Sequence, residues 1–297
     1  MSSPASILSL VASLELRLGN GFTIEGEVAK GGMSRIYSAR RPDTRERIAI
    51  KLMVDRLSGA SGPERLELEE RFLLEMQVLQ KLNHPRIPAV LSSGDVSGSL
   101  YYTMPFVEGE SLRSRLKRKD RISVRDALLF TRDVADALAH VHENGIIHRD
   151  VKPDNLMLSP TGVWLLDFGI ARAPSFGQID IGSDKPKYIM GTPEYTSPER
   201  LTARVVEDAR SDLFSLGCVF YEMLAGRPPF PHGLREAMKK HSPPQITIDL
   251  EPLPPNLPDE VMVVLKRSIA LHPSDRFVNA TAMLGAADAA VKTVGYD

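Results

Sequence analysis

Two apolar, strand-like runs hold the residues best suited to chemistry: IIHRDVKPDNLML, Ile146 to Leu158, and WLLDFGIA, Trp164 to Ala171. Within them Asp150, Asn155 and Asp167 surround one lysine, Lys152. Carboxylate and amide oxygens are hard donors, and they suit Mg²⁺, which keeps part of its water and bridges substrate phosphates. A pair of hairpins with polar turns would account for the same residues without any chemistry. The string is long and ordered, however, and three other features of the chain point the same way.

The first is KGGMS, Lys30 to Ser34, where paired glycines let backbone N–H groups approach an anion without interference from Cβ. A hairpin with a Gly-Gly turn explains it equally well. The second is Lys51 in RIAIKLM, a lysine among apolar neighbours that must either snorkel outward or meet a buried anion. The third is Glu75, three residues after Phe72 and four before Leu79, so that it places a carboxylate on the apolar stripe of a helix. Each charge alone reads as a partly exposed structural residue. Together they propose an ion pair from strand to helix that orients Lys51 on phosphate oxygens.

These residues need elements to position them. Alternation in Phe22 to Val28 and the β-rich IYSAR and RIAIKLM runs predict three antiparallel strands. Gly62-Pro63 starts a helix whose buried stripe is Leu66, Phe72, Leu73, Met76, Leu79 and Leu82, ending before His84-Pro85. Two more strands are expected around Ala89 to Leu91 and Leu100 to Met104. Beyond Gly109 the pattern turns helical, notably over Arg125 to Glu143 and Asp212 to Ala225. Ahead of all this, Ile7, Leu10, Val11 and Leu14 lie at helical spacing and predict a short amphipathic helix packed on the domain. Cys218 and Trp164 read as core.

Composition bounds the function. The 297 residues carry 37 basic and 38 acidic side chains, a formal net charge of -1, so no overall field favours nucleic acid or anionic membranes. One cysteine permits neither a disulfide within the chain nor a cysteine-based zinc site, which suits a reducing compartment, the cytoplasm. The most apolar stretch, Ile7 to Leu14, is too short to span a bilayer and has no basic flank, so neither a membrane anchor nor a signal peptide is expected. The segment from Ser111 to Arg125 holds seven basic residues against one acidic and reads as a solvated helix face in preference to a docking patch.

From Phe22 to about Ala290 the chain resembles the eukaryotic-like serine/threonine protein kinases, and GGM and RSDLFSLG are similar to their bacterial branch. The resemblance implies an α+β, protein-kinase-like bilobal fold: a small antiparallel β-sheet N-lobe with one long helix, and a larger, mainly helical C-lobe. The corresponding boundaries are an extension over 1–20, the N-lobe over 21–104, a hinge over 105–109, the C-lobe over 110–290 and a tail over 291–297. It implies ATP and Mg²⁺ as cofactors, with Mn²⁺ as a substitute, and protein substrates with Ser/Thr acceptors. Pairing with a second copy of the chain stays open.

By the same likeness Asp150 is the catalytic base, Lys152 neutralises the transferring phosphoryl group, and Asp167 and Asn155 hold the metals. Lys51, held by Glu75, takes the α and β phosphates. Val28, Ala29, Lys30, Gly31, Gly32, Met33, Ser34, Ile36 and Ala49 would enclose the nucleotide, with Met104 as gatekeeper. Pro105 would offer only its carbonyl to the base, and Val107 its N–H. Ala29 and Ser34 stand where the family's loop usually has glycine. Glu199 should pair with Arg276, and Asp212 should accept backbone hydrogen bonds from the catalytic loop. Arg149 matches an arginine that usually receives a phosphorylated residue. Between Gly169 and Gly191 the acceptors are Ser175, Ser183 and Tyr188, with Asp184 as a constant negative charge. β-branched Ile170 after DFG implies threonine over serine as acceptor.

Overall fold

The computed structural model describes residues 4–18, 22–31, 34–41, 43–54, 63–118, 122–168, 193–202, 207–230, 234 and 248–295. The chain divides into two compact units, Met1–Glu108 and Gly109–Asp297.

The first unit is built on a five-stranded antiparallel sheet of β1 (Thr23–Lys30), β2 (Ser34–Arg40), β3 (Arg47–Met53), β4 (Ser92–Val96) and β5 (Ser99–Pro105), in the order β1-β2-β3-β5-β4. Side chains alternate across a strand, so β3 presents Ile48, Ile50 and Leu52 to one face and Ala49, Lys51 and Met53 to the other. The first face, together with Tyr37, Ala39, Val96 and Tyr101, is sealed by helix α1 (Pro4–Leu18) through the fully buried Leu14, flanked by Val11 and Leu18. Glu15 adds a polar tie, its Oε1 accepting from the Ile24 backbone N–H at 2.8 Å.

Helix α2 (Pro63–Lys81) buries Phe72, Glu75, Val78 and Leu79 and leaves Leu66 and Leu73 exposed. This corrects the expected stripe: Leu73 lies about 100° around the helix from Phe72, off the line of residues three and four apart that faces inward. The strand expected over Ala89 to Leu91 is also displaced. The chain first turns, the Ile87 N–H donating to His84 O at 3.1 Å, and Pro88 then has no N–H to give to a ladder. Contact with β5 begins only at Leu91, whose N–H reaches Thr103 O at 2.8 Å. Strands β4 and β5 then close through Ser97 and Gly98, both with positive φ (51° and 77°), the backbone of a tight hairpin turn.

The second unit opens with β6 (Glu110–Ser111), which pairs with β7 (Leu156–Ser159), itself paired with β8 (Gly162–Leu165). Gly109 makes this possible: at φ 148° a Cβ there would lie 1.9 Å from Leu158 O. Helices α3 (Leu112–Lys117) and α4 (Val124–Glu143) are capped by Ser111 and Ser123, whose hydroxyls accept the N–H of Ser114 and Asp126. After the short α5 (Pro198–Thr202), helix α6 (Arg210–Ala225) is buried on every face from Ser211 to Leu224 and is the axis of the core. It packs on α4 and on α7 (Asp259–Ser268), and α8 (Ala280–Thr293) covers α4 and α7. Cys218 is fully buried on α6, and that burial pushes its thiol pKa up. Trp164, expected in the core, is only half-buried, because β8 turns Val163 and Leu165 inward instead.

The basic segment is less solvated than expected. Arg113 reaches Glu222, Asp154 and Tyr195, and Arg125 donates to the carbonyls of Val291 and Val294. Among the described residues no helix is long and apolar enough to cross a membrane.

Candidate active site

In the first unit Lys51 and Glu75 meet as the sequence suggested, with Nζ 2.6 Å from Oε1 and both side chains less than a tenth exposed. Ile36 is the register partner of Lys51, and Ala49 that of Met104, so all four lie on the sheet face opposite α1. The β1–β2 turn closes where the Gly31 N–H donates to Ser34 O at 2.8 Å, and a Cβ at Gly31 would crowd that oxygen at 3.3 Å. Ala29 and Lys30 are exposed at the end of β1. Val28 sits at a register shift between Glu27 and Ala29 and is 48% exposed. Gly32 and Met33 lie outside the described residues. Met104 is buried, while Pro105 and Val107, at the end of β5 and just beyond it, are half-buried.

Tyr102 was not anticipated. Its hydroxyl donates to Glu75 Oε1 at 2.9 Å, the same oxygen that binds Lys51. The available signal was parity, since Tyr102 is two residues from Met104 on β5 and therefore on the same face.

In the second unit Asp150, Lys152, Asn155 and Asp167 converge. Lys152 Nζ lies 2.8 Å from Asp150 Oδ2, and Asn155 Nδ2 donates to that same carboxylate oxygen at 2.9 Å. The Asn155 amide nitrogen also faces the carbonyls of Asp150 (2.9 Å) and Asp167 (3.3 Å), which turns its Oδ1 away from them. One amide oxygen and one carboxylate, Asp167, fit Mg²⁺, which completes its shell with water and substrate phosphates. Two non-glycine residues here have left-handed backbone, Arg149 (φ 69°) and Asp167 (φ 49°). That conformation is uncommon outside glycine and marks positions whose surroundings over-determine them.

The surroundings are identifiable. Asp212 at the start of α6 accepts the backbone N–H groups of His148 and Arg149, each at 2.8 Å, and the His142 ring at 2.8 Å. Burial alone would raise the Asp212 carboxyl, but the hydrogen bonds from His142 and from the Arg149 backbone N–H outweigh it and hold the pKa low. His148 is fully buried, and desolvation lowers its pKa. Its Nδ1 accepts the Asp150 N–H at 3.2 Å, so the proton is assigned to Nε2, which donates to Leu166 O at 3.2 Å. A neutral histidine thus ties the Asp150 backbone to the strand end that carries Asp167.

Arg149 meets a carboxylate the sequence reading did not name. Its Nε donates to Glu207 Oε2 at 3.0 Å, Arg200 Nε lies 3.2 Å from Glu207 Oε1, and Arg200 Nη1 donates to the Arg149 carbonyl at 2.6 Å. The Arg200–Glu207 contact is close without hydrogen-bond geometry, since Oε1 is buried with no hydrogen-bond partner. Ile170, Ser175, Ser183, Asp184 and Tyr188 lie outside the described residues. Glu199 and Arg276 form the expected pair, bidentate at 2.7 and 2.9 Å. The remaining Arg276 donors reach the carbonyls of Ala270, Arg210 and Leu271, so this buried guanidinium is fully satisfied.

The family model of the protein kinase domain matches residues 22–286. Serine/threonine-protein kinase PknA of Mycobacterium tuberculosis is 35% identical over 270 residues, 88% of this chain and 59% of that protein. PknJ of the same organism is 34% identical over 281 residues, 91% of this chain and 45% of the relative. PknB of Mycolicibacterium smegmatis is 36% identical over 265 residues, 85% of this chain and 40% of its own length. The chain therefore spans about half the length of the curated relatives it matches.

Proposed function

We propose that this chain, which belongs to the protein kinase family, transfers the γ-phosphoryl group of ATP to serine or threonine hydroxyls of protein substrates and of itself. The observation that carries the reading is the Asp150 carboxylate, held between Lys152 and Asn155 at 2.8 and 2.9 Å in a loop anchored on Asp212. In the reaction the acceptor hydroxyl oxygen forms a bond to the γ phosphorus, the bond from that phosphorus to the bridging oxygen of the leaving ADP breaks, and the hydroxyl proton passes to Asp150.

The chain's own groups serve that step in distinct ways. Asp150 orients the hydroxyl and takes its proton. Lys152, already beside Asp150, offsets negative charge on the phosphoryl oxygens. Lys51 binds the α and β phosphates while Glu75 holds it. Asp167 and the Asn155 amide oxygen would hold Mg²⁺, with Mn²⁺ as a substitute, and the ion when bound neutralises charge on the phosphates. Val28 through Ser34, Ile36, Ala49, Met104, Pro105 and Val107 would enclose the nucleotide, Pro105 through its carbonyl and Val107 through its N–H. The lone cysteine suits action in the cytoplasm.

Threonine is the favoured acceptor. Ile170 is β-branched, and in the kinases that the chain resembles a β-branched residue directly after DFG goes with threonine, whose methyl restricts the hydroxyl's orientation. The alternative, a kinase-shaped binding module without transfer, draws only on Ala29 and Ser34, and the intact Asp150, Asn155 and Asp167 speak against it.

One experiment tests the set: transfer of labelled phosphate to a generic basic protein and to paired peptides differing only in Ser or Thr, by wild type and by Asp150→Asn. Wild type should transfer, favouring threonine roughly tenfold in kcat/KM, about the worth of one methyl-sized contact. Asp150→Asn should lose at least ~10²-fold, the lower end expected for a positioned base. Nucleotide binding with no transfer by wild type would establish the binding-module reading.

A further inference from the structure

We propose that Tyr102 is a positioning residue for Lys51: by hydrogen bonding to Glu75 it fixes the carboxylate that holds the lysine, and so couples the placement of α2 to the nucleotide face of the sheet. The inference rests on the reading of Lys51 as a phosphate-binding group. It adds a residue to that reading and a route by which α2 controls it.

The geometry starts from strand register. Lys51 on β3 and Tyr102 on β5 are directly opposite each other, so both side chains project to the same face. Glu75 comes to that face from α2. Its Oε1 accepts from Lys51 Nζ at 2.6 Å and from the Tyr102 hydroxyl at 2.9 Å. All three side chains are buried, Tyr102 to 1% exposure. In such surroundings each hydrogen bond is electrostatically stronger than in water, and a lost partner is correspondingly costly.

Tyr102 reaches α2 a second time. Its ring packs on Phe72 with centroids 5.4 Å apart, and Phe72 is three residues before Glu75, on the same helix face. The Lys51 ammonium lies 6.0 Å from the centroid of the same ring. One side chain therefore lies opposite the lysine, bonds the carboxylate that binds it and packs on the helix that carries the carboxylate. A Glu75 side chain has three rotatable χ angles, and the Lys51 ammonium follows the carboxylate it binds. The Tyr102 hydroxyl, a donor fixed to the sheet, favours the rotamer that brings Oε1 to both groups, and the ammonium inherits that position. Tyr102→Phe would keep the ring and its packing on Phe72 and remove the hydroxyl.

The test uses Tyr102→Phe in the full chain, with Lys51→Met and Glu75→Gln as references and the melting temperature of each variant as a control on folding. Lys51→Met should abolish transfer. If it does not, the phosphate-binding reading fails, whatever Tyr102 does. With that reading upheld, Tyr102→Phe should lower kcat about 5- to 20-fold while KM for ATP moves less than about twofold, because the lysine charge remains and only its placement is loosened. In a Glu75→Gln background the same substitution should change kcat by less than about twofold, since the route through the carboxylate is gone. Wild-type kcat in Tyr102→Phe would overturn the proposal. So would a loss of equal size in the Glu75→Gln background, or a lowered melting temperature with unchanged kinetics of the folded protein.

Discussion

At the scale of single residues, the most consequential contact is one made from a distance. Arg149 directly precedes Asp150, and its side chain, backbone N–H and carbonyl are held by Glu207, Asp212 and Arg200 respectively. Burial pushes the Glu207 carboxyl pKa up, outweighing the pull of Arg200 and Arg149, so the fold gains little from its charge. Its value lies in aligning two arginines beside Asp150. Glu207→Gln should therefore lower kcat of the fully dephosphorylated protein about 5- to 10-fold, on the order of 1 kcal/mol in the barrier, and Glu207→Asp should recover part of the loss. The melting temperature of Glu207→Gln should stay within about 2 °C of wild type. Kinetics and calorimetry on the three proteins check this, and unchanged kcat in Glu207→Gln would exclude the role. The contrast with Asp150, Lys152 and Asn155 shows what a sequence exposes. Those three fall within six residues of one string, and their types alone suggest phosphate and metal chemistry. Glu207 lies 58 residues from Arg149, Tyr102 lies 27 from Glu75, and Asp212 lies 70 from His142. Nothing local in a chain announces a partner at that separation. Asp212 was legible only through the family likeness of its motif.

Elements with regular period were legible, and those interrupted by proline or governed by distant packing were not. The paired strands β1 to β3 and helices α4 and α6 follow from alternation and from helical spacing. Strand β4 is polar, Ser92 to Val96, and is a strand because β5 offers it a ladder. The more apolar Ala89 to Leu91 segment follows a turn and Pro88, and it meets β5 only through its last N–H. Helix α1 was legible as an amphipathic segment, but its role was not, because its partner is the outer face of a sheet formed by residues as distant as Tyr101. That face carries Ile48, Ile50 and Leu52, whose alternate neighbour is Lys51. The helix thus covers the reverse side of the strand that presents Lys51. Leu14 is the centre of the contact, with 0% exposure. Leu14→Ala should destabilise the protein by ~2–5 kcal/mol, the range for deleting a buried leucine side chain. The first calorimetric transition should fall by several degrees, at roughly 2–4 °C per kcal/mol for domains of this size. A shift under about 1 °C would mean that α1 is not bound to the sheet in solution.

At the scale of the whole molecule, the pH dependence of stability follows from which buried groups change proton affinity on folding. His148 is a base whose folded pKa is depressed by desolvation, even though Asp212, Asp150 and Asp167 pull the other way. Below its ordinary value of about 6.5 the unfolded chain takes up a proton that the fold excludes, so stability falls as pH drops, by at most ~1.4 kcal/mol per pH unit for one group. Glu199 and Asp212 are acids whose folded pKa values are depressed. Burial raises each, but Arg276 outweighs it at Glu199, and the hydrogen bonds from His142 and the Arg149 N–H outweigh it at Asp212. The stability they add is present above their ordinary carboxylate values and is lost as pH falls below about 4.5 toward the lower folded ones. Glu207, raised by burial, works in the opposite sense and offsets part of this loss. On the alkaline side Cys218 and Tyr195 are acids with raised folded values, both through burial. The unfolded chain gives up those protons first, so stability declines above about pH 9. The melting temperature should thus plateau between about pH 7 and 8.5, decline gently below 6.5 and fall steeply below 4.5. His148→Asn should flatten the gentle decline while leaving the steep one in place, because the Asp212 and Glu199 networks remain. Calorimetry of both proteins from pH 4 to 10 checks the profile. A wild-type melting temperature that rises between pH 7 and pH 5.5 would contradict a neutral, buried His148, and with it the tautomer that ties Asp150 to the strand end bearing Asp167.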